Sequence, residues 1–427
     1  MAVLENQQAK ISLVKFGSWG GTFVKIKNVE VTSTQIGVLI ILWAAFLLSF
    51  VDRLSWAPIM PMASKDLGLN AKQAGSYMTA FYFGYVLTQL PGGLMTDRFG
   101  YRKVLLGSFL VMGAFTALMG TVNSYETGLI FRVLAGLGSG AIFSACIRGI
   151  FDWFPSKGRA TAVGFFMTAS SLGVSVVNLL VPTVAGSYGW HASFFVSGAL
   201  PIFALVFAWF MLKERSDAKE RAKAQATASF WIDIKVLLKN RNLMITSFAG
   251  FCAMWATWGT ATWANTYMNK AMNLSLVQAG YMMTLYGLAA LLCKPIAGVL
   301  ADIFGNKKKI LMFWMLIFFG PLLILFSMNS SLSLLYIIAP LLGIAAFVYS
   351  PVMNTFIGEL VELRLVGSAT GLVNTIWQLG SLLSPLVVGM VLDATQNYLY
   401  AFTALAAGPV VAAFAILMVR EKATAEN

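Results

Sequence analysis

We predict an all-α integral membrane protein with twelve transmembrane helices, on three observations. First, 58% of the 427 residues are hydrophobic and only 11% are charged, whereas roughly a quarter of the residues of a soluble domain are charged. Second, the charged residues cluster and leave apolar stretches of about 20 residues, the length that a helix needs to cross a bilayer core. Third, the second half of the chain repeats the first, which is typical of a transporter built from two bundles.

The apolar stretches define twelve spans with a polar break after the sixth. They lie near residues 36–60, 74–95, 102–122, 126–151, 160–184, 191–212, 243–268, 279–301, 309–328, 333–357, 367–392 and 398–419. A densely charged run begins at Lys213 and ends at Lys223. We therefore divide the chain into five parts: an N-terminal segment (1–35), a first six-helix half (36–212), a linker (213–242), a second half (243–419) and a tail (420–427).

The basic residues predict how the chain lies in the membrane. If both termini are cytoplasmic, the external loops hold only Lys65, Lys72 and Lys270 of the 30 Lys and Arg residues. Four more lie within spans, and the remaining 23 face the cytoplasm. This asymmetry follows the positive-inside rule. The net charge of +13 therefore indicates membrane topology and not nucleic-acid binding. We expect a multi-pass protein of the cell membrane, most simply a bacterial inner membrane, with cytoplasmic termini.

The internal repeat holds its register over about thirty residues. Gln73-Ala74-Gly75 recurs as Gln278-Ala279-Gly280, at an offset of 205. At the same offset, the pattern of residues 93–103 recurs at 298–308. These two segments resemble the signature loops of the major facilitator superfamily, which implies two packed six-helix halves. In that family the loops latch the cytoplasmic gate, which implies gating roles for Gly93, Asp97, Arg98, Arg102, Gly298 and Asp302.

Charged residues inside the predicted spans indicate a binding site. Arg53 in the first span and Arg132 in the fourth lie at similar depth, because the two spans run in opposite directions. A charge at mid-membrane is costly and marks a functional site by default. Two arginines at one level repel each other unless an anion lies between them, and the guanidinium fork suits carboxylate, phosphate or sulfonate groups. The pair therefore favours an anionic cargo. The alternative is that Arg132 belongs to a motif, residues 132–140, which resembles one found also in drug exporters.

Several motifs resemble the anion:cation symporter family, which includes sugar-acid permeases. They are Phe50-Val51-Asp52-Arg53, residues 89–93, residues 152–155 and the Gly189-Trp190-His191 segment. The resemblance implies that Arg53 and Arg132 bind the acid group of the substrate, that Asp52 takes part in cation coupling and that Tyr85 lines the pocket. Many members carry a glutamate seven residues after the arginine of the fourth span, where this chain has Ser139. Because a hydroxyl does not titrate, coupling to protons, coupling to sodium and exchange all remain open, with protons favoured over sodium.

Weaker candidates for the cavity are polar or aromatic residues within spans: Ser170, Asn374, Trp377 and Gln378. Hydrogen bonding between helices explains each of them equally well. Lys294 lies near the cytoplasmic end of the eighth span, where a lysine can extend its amine to the interface.

We expect a secondary active transporter, a monomer, that takes up a small organic anion such as a carboxylate or sugar acid together with a cation. Two alternatives remain. The tryptophan-rich seventh span suits an exporter of amphipathic drugs or metabolites, and a transporter-like receptor would bind its ligand without moving it. We expect no enzyme activity, cofactor or metal site, since the chain has one histidine, no phosphate-binding loop and no nucleophile–base pair.

Overall fold

The protein is described here from a computed structural model, which covers residues 13–14, 23–26, 29–212, 230–362 and 365–420. Fourteen α-helices are described. They are α1 (Ser33–Leu54), α2 (Trp56–Asp66), α3 (Ala71–Phe99), α4 (Tyr101–Leu118), α5 (Tyr125–Ser139), α6 (Ile142–Trp153), α7 (Ser156–Met211), α8 (Phe230–Lys239), α9 (Arg241–Lys270), α10 (Leu276–Phe304), α11 (Lys308–Met328), α12 (Leu332–Leu360), α13 (Val366–Thr395) and α14 (Tyr398–Leu417). Helices α1–α7 are called the N-terminal helices below, and α8–α14 the C-terminal helices.

A small antiparallel sheet precedes the helices, which the sequence did not lead us to expect. Its strands are β1 (Leu13–Val14), β2 (Phe23–Ile26) and β3 (Val29–Thr32), in the order β1-β2-β3. Val24 of β2 pairs with Val31 of β3. The sheet lies outside the helical bundle, so the predicted all-α membrane fold is unchanged.

Nine helical stretches of the described chain are long and apolar enough to cross a membrane. One of them, 161–211, has 51 residues, about twice the length of a single span. It belongs to α7, which reverses direction at Gly189, where φ is +82°. A left-handed φ suits glycine, because it has no Cβ to clash with the backbone. The two arms of α7 therefore form the predicted fifth and sixth spans.

Two further spans, α3 and α9, are less apolar because other helices cover them. Most of α9 is buried, including its threonines and Asn265. Helix α3 packs along α5 on one side and along α13 on the other. With these two helices the described chain fits the predicted twelve spans, where α1 with α2 and α5 with α6 each form one interrupted span.

Polar residues fix the ends of many helices. Thr32 begins α1 with a capping box, in which its hydroxyl accepts from the amide of Gln35 and the Gln35 side chain accepts from the amide of Thr32. Asn70 and Gln73 repeat this arrangement at α3. Such side chains satisfy amides that have no partner within the helix. The cap at Thr32 explains why the first helix begins three residues earlier than predicted.

The predicted linker, 213–242, is only partly described. Residues 213–229 lie outside the described part of the chain, while residues 230–239 form α8 and α9 begins at Arg241. The last third of the predicted linker is therefore helical. The division of the chain into domains stays a prediction.

The N-terminal and C-terminal helices contact each other mainly towards one membrane face. We call this the far face, and it holds the ends of α2 and α13. The opposite side, which holds the start of α1, is called the near face. At the far face the carboxylate of Asp393 accepts hydrogen bonds from the amides of Ala71 (2.9 Å) and Lys72 (2.8 Å). Deeper in the membrane, Thr79 donates to the carbonyl of Leu382 at 2.8 Å. These hydrogen bonds join the N-terminal and C-terminal helices at the far face.

Candidate functional site

Arg53 lies in the last turn of α1, buried among aromatic rings. Its guanidinium carbon lies 4.3 Å from the ring centre of Tyr85, 4.5 Å from that of Phe50 and 5.9 Å from that of Trp258 on α9. Only 2% of the residue is exposed, and its Nε has no hydrogen-bond partner. Within the described chain no carboxylate pairs with Arg53. The site therefore holds a desolvated cation that no carboxylate of the described residues neutralises.

Arg132 on α5 is fully buried but differs in its partners. Its Nη2 donates to the carbonyl of Arg53 at 2.9 Å, its Nη1 to that of Asp52 at 3.3 Å and its Nε to that of Tyr77 at 3.2 Å. These carbonyls of α1 lie where the helix breaks at Ser55, one turn before Pro58. Arg132 thus holds the bend that positions Arg53, and most of its donors are occupied by backbone.

Asp52 points away from Arg53, as expected for adjacent residues of a helix. The residue is fully buried, and neither carboxylate oxygen has a hydrogen-bond partner. The hydroxyl of Thr116 on α4 lies beside it, and Arg132 is the nearest cation. Asp52 is therefore an acid enclosed by the N-terminal helices, close to the bend but separate from the aromatic cluster.

Lys294 on α10 is a second cation at the interface between the N-terminal and C-terminal helices. Its amine donates to the hydroxyl of Ser170 on α7 at 2.8 Å and lies 4.9 Å from the ring centre of Phe347. The expected extension towards the interface is not seen, because the amine crosses to the facing helix instead. A lone lysine in an apolar span was the only sequence signal for this residue.

Two rings connect the cations. The ring centres of Trp258 and Phe347 are 5.9 Å apart, in an edge-to-face arrangement. Trp258 is the ring nearest Arg53 on the C-terminal helices, and Phe347 is the ring under Lys294. Sequence reasoning missed Phe347, because its position in the apolar run of α12 carries no distinguishing pattern.

The remaining predicted cargo residues are distributed unevenly. Tyr85 lies directly against Arg53, and Ser170 contacts Lys294. Ser139 is buried and its hydroxyl has no partner. On α13, Gln378 accepts from Ser381, Trp377 packs against Gly250, and Asn374 is half-buried. Among the described contacts, no hydrogen bond or ring contact joins these three to Arg53 or Lys294, and their roles stay predictions.

The predicted gate residues lie at the near face. Asp97 pairs with Arg148 at 3.2 Å, and Arg102 donates to the carbonyl of Trp209. Arg98 lies over the ring of Phe99, next to the turn at Gly100. These described contacts of Asp97, Arg98 and Arg102 lie within the N-terminal helices, and the gating roles stay predictions.

The two gate glycines have open surroundings. A methyl group at Gly298 would meet no atom within 4 Å, and one at Gly93 would meet only the Ser144 hydroxyl, at 3.9 Å. The side chain of Asp302 lies outside the described part of the chain. Close helix contact at these glycines is therefore expected only when the near face closes.

Comparison with known proteins identifies the relatives of the chain. The sequence profile of the Major Facilitator Superfamily matches residues 42–284 and 246–427. A probable galactarate/D-glucarate transporter of Bacillus subtilis is 28% identical, over 91% of this chain and 92% of the relative. A probable sulfoacetate transporter of Cupriavidus necator is 25% identical, over 86% of this chain and 89% of the relative. A bacterial homologue of the human lysosomal transporter Spinster, solved in an inward-facing, occupied conformation, matches with a TM-score of 0.75 at 18% identity, over 90% of this chain and 96% of that chain.

Proposed function

We propose, from the premise that the chain belongs to the Major Facilitator Superfamily, that it is a secondary active transporter which takes up a small organic anion, such as a carboxylate or sugar acid. Its relatives are named as transporters of galactarate/D-glucarate, sulfoacetate and hexuronate. These names support an organic anion as cargo and a transporter in place of an enzyme.

The single observation that carries the proposal is the environment of Arg53. A guanidinium removed from water gains about 2 kcal/mol from an aromatic face, but a ring supplies no opposite charge. Removing a cation from water costs several kcal/mol unless an opposite charge compensates. The acid group of a cargo would supply that charge, and the planar fork of arginine binds a carboxylate with two parallel bonds. We assign Arg53 as the primary ligand of the anion, with Tyr85 beneath it.

Arg132 serves this site through the backbone. Its hydrogen bonds to the carbonyls of Asp52 and Arg53 fix the bend of the first span, and its charge adds to the positive potential that attracts an anion. We also propose that Arg132 contacts the cargo directly. One N–H of its Nη1 donates to no backbone carbonyl and would make this contact.

Asp52 is the proposed coupling residue. Burying a carboxylate without a hydrogen-bond donor is costly, and a bound proton removes the charge. Proton uptake at Asp52 would change the charge next to the bend that carries Arg53. This link supports proton symport over sodium symport, since the Thr116 hydroxyl is the one further oxygen that the described contacts place beside the carboxylate.

The chain acts as a multi-pass membrane protein. We propose that it works as a monomer in a bacterial inner membrane, with the near face and both termini in the cytoplasm. The described conformation then corresponds to release of the cargo into the cell. Closure of the near face through the segments around Asp97 and Gly298 would complete the alternating cycle.

A second candidate, an exporter of amphipathic compounds, is favoured by the same aromatic rings. Trp258, Phe50 and Tyr82 form an apolar wall against which a hydrophobic cation could lie. The absence of a carboxylate partner at this wall, among the described residues, gives such a cation no opposite charge. A receptor that binds its ligand without moving it would use the same site. Measurements of flux distinguish such a receptor from the anion transporter and from the exporter.

The experiment is a thermal-stability screen of the purified protein against carboxylates, sugar acids, sulfonates, phosphates and hydrophobic cations, in the parent and in Arg53→Ala. A ligand at a hundredfold excess over its Kd stabilises the folded state by about 2.7 kcal/mol. We expect one class of anion to raise the Tm of the parent but not of the variant. Uptake of that anion into proteoliposomes then separates a transporter from a receptor. Stabilisation by hydrophobic cations alone would establish the exporter instead.

A further inference from the structure

The aromatic cluster that contains Arg53 ends at a second cation. Lys294 lies about ten residues before the end of α10, and its amine turns towards α7 and α12. No acidic side chain of the described chain pairs with it. Its two contacts are a neutral hydroxyl and the face of a ring. Like Arg53, Lys294 is therefore a cation at the helix interface, and no acidic side chain in the described ranges neutralises it.

The two cations occupy opposite ends of one continuous row of rings. Successive separations of 5.9 Å (Arg53 to Trp258), 5.9 Å (Trp258 to Phe347) and 4.9 Å (Phe347 to Lys294) join them. One end belongs to the N-terminal helices and the other to the C-terminal helices. The row therefore leads from a cation of one group of helices to a cation of the other, across their interface.

A buried tyrosine accompanies each cation. Tyr82 contacts Trp258 near Arg53, and Tyr286 packs edge-to-face on Phe347 near Lys294. Both tyrosines are fully buried. The hydroxyl of Tyr82 lies beside the Arg53 guanidinium, whereas that of Tyr286 has no hydrogen-bond partner. Buried polar groups are nearly always paired, so the Tyr286 hydroxyl points to a missing partner.

We propose that Lys294 binds a second acid group of the cargo, so that the transporter selects dianions over monoanions. This inference rests on the proposed function, since it takes the first acid group to bind at Arg53. The ligand class is a linear dicarboxylate or carboxylate–sulfonate with hydroxyl groups or methylenes between its acid groups. Ser170 holds the lysine amine in place, and the row of rings packs against the backbone of the cargo. Because each acid group binds a different group of helices, a dianion also draws the two groups together.

The test uses a matched pair of probes, glucarate and gluconate, which differ by one acid group on the same carbon chain. Affinities are measured by calorimetry on the purified full chain in nanodiscs. The variants are Lys294→Met, which keeps the length but removes the charge, Lys294→Arg, which keeps the charge, and Lys270→Met, a charge-matched control at the far-face end of α9. Succinate with butyrate and sulfoacetate with acetate repeat the comparison for shorter cargoes.

We expect the parent to bind a dianion better than its monoanion partner. Lys294→Met weakens dianion binding by about tenfold or more, the effect of losing a hydrogen bond to a charged group, and changes monoanion binding by less than about threefold. Lys294→Arg keeps the preference for the dianion, and Lys270→Met leaves the affinities for both probes unchanged. Equal weakening of both probes by Lys294→Met, or a parent that binds monoanions but no dianion, overturns the inference while the proposed function stands. If no anion binds, or if Arg53→Ala binds as the parent does, the proposed function itself fails.

Discussion

The guanidinium of Arg132 donates a 2.9 Å hydrogen bond to the backbone carbonyl of Arg53. Two arginines that a simple view places in competition for one anion are thus joined through the backbone. Arg132 acts on the bend of the first span, and Arg53 carries an uncompensated charge into the aromatic cluster. This division of roles gives the first prediction.

Arg132→Ala is expected to destabilise the protein even without cargo. The carbonyls of Arg53 and Tyr77 would lose a donor, whereas that of Asp52 keeps the Ser55 hydroxyl. Each buried group left unpaired costs about 1–3 kcal/mol. Arg132→Lys keeps the charge but cannot reach three carbonyls at once, so it should lose most of the same stability. The measurement is thermal unfolding in detergent, with Arg241→Lys at the exposed start of α9 as control. Unchanged unfolding of both variants without cargo, combined with lost anion binding, would instead make Arg132 a pure cargo ligand.

Asp393 should control the balance between the state that is open at the far face and the state that is open at the near face. Its carboxylate caps the start of α3 from α13 and so ties the far face closed. Asp393→Ala removes both hydrogen bonds and should increase the population that is open at the far face. Asp393→Asn keeps one acceptor oxygen, so its population should lie between those of the parent and of Asp393→Ala. Spin labels at Lys65→Cys and Ala394→Cys report the opening as a longer distance, in a background where the half-buried Cys293 is replaced by serine. An unaltered distance distribution in Asp393→Ala would show that this cap does not hold the face.

Glycine substitutions at the two faces should have opposite effects. A methyl group at Gly75 would overlap the carbonyl oxygen of Pro385, whereas one at Gly298 meets open space. Gly75→Ala should therefore disfavour the described conformation, and Gly298→Ala should leave it intact while hindering closure of the near face. The same pair of spin labels distinguishes the two variants. A Gly75→Ala protein that keeps the parent distances would mean that α3 and α13 accommodate the methyl group by a local shift, without opening the far face.

Asp52→Asn should uncouple transport without abolishing binding. The amide cannot take up and release a proton, so a pH gradient should no longer drive accumulation of the anion in proteoliposomes. Exchange of labelled for unlabelled anion should continue, because Arg53 is unchanged. Glu126→Gln, an exposed acid at the far-face start of α5, is the control. Accumulation by Asp52→Asn at the parent rate would remove Asp52 from coupling, and dependence on a sodium gradient would identify the other cation.

The position of a predicted site residue follows from the sequence where depth along a span decides it, while the role of that residue stays a prediction. The position of Arg53 along the first span was enough to predict a buried cation, and Tyr85 does lie beside it. The partners of Arg132 could not be predicted, since spacing along a helix gives depth but not which carbonyls of a neighbouring helix lack a donor. For the same reason Lys294 was expected to extend towards the interface, although Ser170 on a facing helix receives its amine.

The sequence by itself determined the fold class, the number of spans and the family, because each depends on local properties: apolar length, charge clustering and a motif repeated at 93–103 and 298–308. The tertiary structure alone decided which face is closed, that Arg132 stabilises a bend, and that Arg53 and Lys294 lie at the two ends of one row of rings. Those features depend on contacts between residues far apart in the chain, such as Trp258 with Phe347. Helix packing sets such contacts, and the same pattern of apolar residues is compatible with many packings.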